Sequence, residues 1–102
     1  MESEAFTLVC DHLIRNTGLD RPAARGTVRL ALREAGLDAT TVSPGQMRVV
    51  VNKLLPVELR SLRIADVEGH CHAIEGRLAR LQKNPAGGDT PERVFERIGG
   101  SS

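Results

Sequence analysis

Apolar residues recur in the first third of the chain at the three- and four-residue spacing of amphipathic helices. One stripe predicts a helix over about residues 3–17 and consists of Phe6, Val9, Cys10, Leu13 and Ile14. A second stripe predicts a helix that begins after Asp20, carries Pro22 in its first turn and ends at Gly36. Both helices are followed by Gly-Leu-Asp, in which glycine suits the left-handed conformation that ends a helix.

A helix start signal lies in the middle of the chain. The sequence Ser-Pro-Gly-Gln from Ser43 combines a capping box with proline at the first helical position. It predicts a third helix whose apolar face contains Met47, Val50, Val51, Leu54 and Leu55. Pro56 either ends this helix or begins a short one over residues 57–62.

A heptad pattern predicts a fourth helix over about residues 65–83. Its apolar seam consists of Ile64, Val67, Cys71, Ile74, Leu78 and Leu81. The seam covers fewer than three heptads, which suits a bundle better than an independent coiled coil. We therefore predict an all-α, small four-helix bundle-like domain over residues 1–83. Residues 84–102 are predicted to form a linker, a short amphipathic tail helix with Val94, Phe95 and Ile98, and a flexible Gly/Ser end.

Composition narrows the function classes without selecting one. A chain of 102 residues suits a single domain, and its net charge of +1 demands no anionic partner. Tyr and Trp are absent, so a stacking surface for single-stranded nucleic acid is not expected. No apolar run is long enough to span a membrane, and the first residues do not resemble a signal peptide. Two cysteines in such a chain indicate reduced thiols, and we expect a cytoplasmic protein.

The clusters that contain cysteine and histidine suggest metal chemistry at first sight. His70 and His72 flank Cys71, and Cys10 lies two residues before His12. Residues two apart on a helix point in nearly opposite directions, so neither cluster is expected to hold a metal. Cys10 and Cys71 are interpreted as small core residues, and the histidines beside Cys71 as solvated. A metal or thiol site at the two cysteines is kept as a second alternative.

The sequence contains no recognised catalytic motif. Phosphate-binding, nucleophile-elbow, zinc-protease and dinucleotide signatures are all missing from it. Its glycines mark predicted helix ends and linkers rather than loops that could hold a phosphate group. We therefore expect a non-enzymatic protein with no cofactor and no bound metal.

Arginines form the sharpest surface feature of the predicted second helix. The row consists of Arg21, Arg25, Arg29 and Arg33. Because their spacing is four residues, these arginines share one helix face. Arg48 of the third helix is a candidate extension of the row. The row predicts a docking surface for an acidic protein partner. Nucleic acid bound by the same arginines is the first alternative. A solvated face is the remaining interpretation, in which a neighbouring helix supplies neutralising carboxylates from Asp66, Glu68 or Glu75.

Small residues form a second candidate contact face on the predicted fourth helix. Gly69, Ala73 and Gly76 share a side away from the heptad seam, with Ala65 and Ala79 as extensions. Glycine inside a helix costs about 1 kcal/mol relative to alanine, so a packing reason is expected. The strip therefore predicts close approach of a helix, from the same chain or from a partner that includes a second copy in a homodimer. The other interpretation is a solvent-exposed helix face on which the glycines are tolerated. Together, the two faces predict a small interaction or regulatory module.

Overall fold

The computed structural model of the protein describes residues 1–83, which form five α-helices. The helices are α1 (Glu4–Thr17), α2 (Arg21–Glu34), α3 (Pro44–Lys53), α4 (Leu55–Ser61) and α5 (Val67–Lys83). No strand is present in this part of the chain, and the helices form a bundle-like arrangement. The all-α prediction is confirmed. The predicted tail helix with Val94, Phe95 and Ile98 lies outside the described residues.

Side-chain caps set the starts of the first two helices. The Ser3 hydroxyl accepts a hydrogen bond from the Phe6 N–H at 3.2 Å, and the Asp20 carboxylate accepts one from the Ala23 N–H at 2.9 Å. These bonds satisfy backbone donors that have no partner within the helix. Gly18 follows α1 with φ of 81° and Gly36 follows α2 with φ of 74°, so the glycine signals are confirmed at both ends.

Pro56 separates α3 from α4. The predicted capping box is present at the start of α3, where the side chains of Ser43 and Gln46 each bond the other residue's backbone N–H. Proline has no N–H and its ring crowds the carbonyl group four residues earlier, so α3 ends at Lys53. A new helix begins at Leu55, with Pro56 in its first turn. The prediction of a short helix here is confirmed, with its start two residues earlier.

The last helix begins later than the sequence predicted. Asp66 has a φ of 54°, and its carboxylate accepts a hydrogen bond from the Gly69 N–H at 3.3 Å. Arg63, at the end of α4, also has a left-handed φ, of 60°. These two turns fix the start of α5 at Val67, so the predicted helix is confirmed with its start two residues later, and Ala65 lies before it.

The first helix packs against α2, α3 and α5. These contacts bury His12 and Ala5 in addition to four members of the predicted stripe, Phe6, Val9, Cys10 and Leu13. Phe6 is the one aromatic side chain of this core, which is otherwise aliphatic. Its largest members are Phe6, Leu13, Leu32, Met47, Leu55, Leu59, Ile74 and Leu78. Among residues 1–83, no helix combines the length and apolar character needed to cross a membrane.

Candidate functional site

The extended residues before α1 bring an acidic side chain to α2. The Ser3 N–H donates a hydrogen bond to the Ala39 carbonyl at 2.9 Å, which ties the start of α1 to the loop after α2. Glu2 therefore lies beside the outer side of α2. The arginine row on that side, Arg21, Arg25, Arg29 and Arg33, is called the arginine face below.

Glu2 pairs with the two central residues of the arginine face. Its carboxylate accepts hydrogen bonds from both terminal nitrogens of the Arg25 guanidinium, and its Oε2 accepts one from Arg29 Nη2 at 2.8 Å. The bond from Arg25 is the main cause that lowers the pKa of Glu2, and the bond to Glu2 raises the pKa of Arg25. One carboxylate thus orients two guanidinium groups.

Phe6 supports the same two arginines from below. The guanidinium carbons of Arg25 and Arg29 each lie 5.6 Å from the centroid of its ring. That distance is within the range of a cation–π interaction. The Phe6 side chain is fully buried in the core, so these two arginines rest on a fixed base rather than on mobile surface groups.

The outer two arginines are more open. Arg21 and Arg33 are exposed, and neither forms an ion pair within residues 1–83. Beside Arg29 and Arg33, a surface groove of about 370 Å³ extends over the loop that follows α2. The Asp38 carboxylate in this groove accepts hydrogen bonds from Thr40, which lower its pKa.

The carboxylates that were expected to neutralise the row do not reach it. Glu68 lies 3.6 Å from an Arg60 nitrogen, the Glu75 carboxylate accepts a hydrogen bond from the Asn52 side chain, and Asp66 bonds the backbone of Gly69. All three residues lie on α5 or directly before it, whereas α2 packs against α1 and α4. The interpretation that one of them neutralises the row was wrong. The partial neutralisation comes from Glu2, which the sequence did not single out.

Arg48 lies apart from the arginine face. Its Nη1 donates a hydrogen bond to the Gln82 side chain at 3.1 Å, across the contact between α3 and α5. Its Nε is buried and has no hydrogen-bond partner within the described residues. The sequence suggested Arg48 as an extension of the row, but it points to a different helix.

The small-residue strip is exposed along α5. Gly69, Ala73 and Gly76 all face outward, and a Cβ at Gly76 would meet no atom within 4 Å. No helix within residues 1–83 therefore packs closely there. Gly69 has a local reason instead, since a Cβ at this position would lie 2.2 Å from the Asp66 carboxylate. The prediction of contact with a partner chain stays a prediction.

The two cysteines occupy separate surroundings. Cys10 and Cys71 are buried free thiols. Burial raises the pKa of Cys10 to about 11 and also raises that of Cys71, so both thiols are protonated at neutral pH. Charges from Arg25 and Glu2 act on Cys10, while those that act on Cys71 come from Arg60 and Glu75. Within residues 1–83, no three His, Cys, Asp or Glu side chains converge in a way that could hold a metal ion.

Two histidines meet between α1 and α5, a contact that the sequence analysis missed. His12 Nε2 lies 3.2 Å from His70 Nδ1, with the rings in an edge-to-face arrangement. His12 is only 7% exposed, and His70 is partly buried, so the expectation that His70 is solvated was wrong. His72 is exposed, as expected. The row formed by Ala5, Val9 and His12 beside the main stripe was the signal of a second buried face.

Comparisons with known proteins give no match. No protein-family model, no curated protein and no solved structure matches the chain. A function must therefore be inferred from the residues themselves.

Proposed function

We propose that the protein is a small interaction module that docks an acidic protein partner on its arginine face. One observation carries this proposal: four arginines align along α2, and within residues 1–83 a single carboxylate, that of Glu2, pairs with two of them. The face therefore keeps an excess of positive charge although the whole chain is almost neutral. Such a local field attracts and orients an acidic surface.

The support beneath the face favours binding over simple solvation. A flexible arginine loses rotamer freedom when it binds, at a cost of about 0.5–1.5 kcal/mol for each immobilised side chain. Glu2 and Phe6 already restrict Arg25 and Arg29, so part of this rotamer freedom is lost when the protein folds rather than when a partner binds. Guanidinium groups also bind carboxylates through two parallel hydrogen bonds, which suits a partner rich in Asp and Glu.

The proposed role is one of binding rather than catalysis. The nucleophilic thiols, Cys10 and Cys71, are buried, and their raised pKa values keep them protonated and unreactive. Unpaired thiols are typical of a reducing compartment, which supports a cytoplasmic setting for the module. The small-residue strip is retained as a second candidate contact, because it is exposed and lies on a different helix from the arginine face. Arg48 is not part of this strip, since its hydrogen bond goes to Gln82 on another side of α5.

The test compares two variants that remove equal charge from different surfaces. Arg21→Gln/Arg33→Gln changes the exposed ends of the arginine face and leaves the Glu2 cluster intact. Arg15→Gln/Arg80→Gln is the matched control, because both residues are exposed, lie outside α2 and form no ion pair within residues 1–83. Tagged forms are used for affinity capture from native lysate with and without nuclease treatment, and the captured proteins are identified by mass spectrometry.

The expected result is an acidic protein that the wild type and the control capture and the arginine-face variant does not. Isothermal titration with the purified partner should then show at least a tenfold higher Kd for that variant, which corresponds to about 1.4 kcal/mol. Capture that survives in the arginine-face variant would overturn the proposal. Retention of nucleic acid that is lost on nuclease treatment, with affinity that falls steeply as salt rises, would favour the nucleic-acid alternative.

A further inference from the structure

The contact between His12 and His70 joins two titratable side chains across the interface of α1 and α5, and His12 is the buried member of the pair. A neutral imidazole has one N–H and one nitrogen that accepts a hydrogen bond. The 3.2 Å contact therefore needs one ring to donate and the other to accept. A single added proton leaves this bond possible, but two protons place an N–H on both facing nitrogens. Protonation of both rings thus replaces a hydrogen bond with repulsion at the helix interface.

The charged groups near His12 add to the sensitivity of this contact to protonation. Besides His70, the charged group that acts on His12 is Arg77, which also lies on α5 and is positive. No carboxylate of α1, α2, α3 or α5 within the described residues contributes a compensating charge to His12. Burial is the largest cause that lowers the pKa of His12, followed by the charges of His70 and Arg77. The positive neighbour and the lack of a third ligand also disfavour a metal ion between the two rings.

We propose that the His12–His70 contact is a pH-sensitive clasp, which holds α1 against α5 at neutral pH and loosens this interface in mildly acidic solution. The inference does not depend on the proposed docking role. It concerns the packing of α1 against α5, and it uses residues that lie outside the arginine face.

The direction of the pH effect follows from proton linkage. A histidine with an ordinary pKa of 6.5 in the unfolded chain binds protons more readily there than does folded His12, whose pKa is lowered. The stabilising contribution is therefore complete above about pH 6.5 and is lost as the pH falls through the folded pKa. The pKa of Glu2, lowered from 4.5, and that of Asp38, lowered from 3.8, place those carboxylates below this range. Measurements between about pH 7.5 and pH 5.5 thus isolate the histidines.

The first measurement is an NMR titration of the wild-type protein labelled with ¹⁵N-histidine, in buffer that contains a chelator. The chain has three histidines, so the signals of each ring can be followed separately. The pKa of His12 is expected to lie below the ordinary histidine value of 6.5. At neutral pH, the shifts of His12 Nε2 and His70 Nδ1 should show one protonated nitrogen and one unprotonated nitrogen. A His12 pKa at or above 6.5 would overturn the proposal.

The second measurement compares thermal unfolding of His12→Gln with that of His72→Gln. Between about pH 7.5 and pH 5.5, the wild type and His72→Gln should lose more in Tm than His12→Gln does. His72→Gln is the matched control, because it removes one histidine from the solvent side of the helix that carries His70. Equal losses in all three proteins would contradict the clasp. If His12→Gln does not fold, the wild-type titration alone decides.

Discussion

The outer faces of α2 and α5 differ in what lies beneath and beside them. On α2, Arg25 and Arg29 rest on the buried ring of Phe6 and share the carboxylate of Glu2. On α5, the strip of Gly69, Ala73 and Gly76 is exposed, with open space above Gly76. The residues of a surface row can therefore contact buried and charged side chains of the same chain, or they can be exposed without such contacts. The difference teaches that spacing alone does not identify a binding face.

The largest expected effect comes from removal of the base of the arginine face. Phe6→Ala empties a fully buried position that contacts both the core and the two guanidinium groups. We expect a loss of about 3–5 kcal/mol in the free energy of unfolding, measured by urea denaturation. Phe6→Leu is the control, because it keeps most of the apolar volume and should cost less. A loss below about 1 kcal/mol in Phe6→Ala would mean that the arginine face is not anchored in the core.

The second prediction concerns the start of the α5 strip. Gly69→Ala introduces a Cβ where the Asp66 carboxylate lies, so the carboxylate must move and release the Gly69 N–H. Loss of such a cap costs about 0.5–2 kcal/mol and opposes the gain from better helix propensity. We expect Gly69→Ala to be less stable than Gly76→Ala by about 1–2 kcal/mol in chemical denaturation.

A second background tests the cause of that difference. Asp66→Gly removes the obstructing carboxylate and accepts the left-handed φ of 54° at this position. In this background, Gly69→Ala should gain stability as Gly76→Ala does in the wild type. If the difference between the two glycines persists, the Asp66 side chain is not its origin.

The third prediction uses the open end of the strip. A Cβ at Gly76 meets no atom within 4 Å, and alanine is favoured over glycine inside a helix. Gly76→Ala should therefore raise the free energy of unfolding of the monomer by about 0.5–1 kcal/mol. Sedimentation of the wild type and of the variant at high concentration supplies the control. A dimer of the wild type that dissociates in Gly76→Ala would show that a second copy packs on the strip, and the comparison with α2 would then fail.

The sequence predicts the helices well wherever a local signal marks a helix end. The capping box at Ser43 and the glycines at positions 18 and 36 act within a few residues, so their effect is readable without the fold. The start of α5 lies two residues after its predicted position because Arg63 and Asp66 adopt left-handed conformations that the sequence pattern does not indicate.

The candidate site was predictable only in its local part. The four-residue spacing placed the arginines on one face of α2, because spacing along a helix fixes direction. The partner carboxylate of Glu2 depends on the bond between Ser3 and Ala39, two residues that are distant in the sequence. The contact of His12 with His70 likewise depends on how α1 is enclosed, which a single apolar stripe does not reveal.

The smallest expected effect comes from Glu2→Gln, which removes the carboxylate charge between Arg25 and Arg29 and leaves Phe6 in place. Both ion pairs of Glu2 are partly exposed, and exposed pairs contribute little because water and salt screen them. We expect a small decrease in Tm at low ionic strength that shrinks at about 1 M salt, where the Debye length is about 3 Å. Glu4→Gln is the control, since Glu4 is exposed and forms no ion pair within residues 1–83.

The pH dependence of the same variant gives an independent measure. The lowered pKa of Glu2 stabilises the folded protein above its unfolded value of about 4.5, and this contribution disappears as the pH falls through the folded pKa. The Tm difference between wild type and Glu2→Gln should therefore shrink in acid as well as in salt. A difference that is absent at neutral pH and low salt would mean that the carboxylate does not hold Arg25 and Arg29. The arginine face would then have no carboxylate that orients it, and the buried ring of Phe6 alone would distinguish it from the strip on α5.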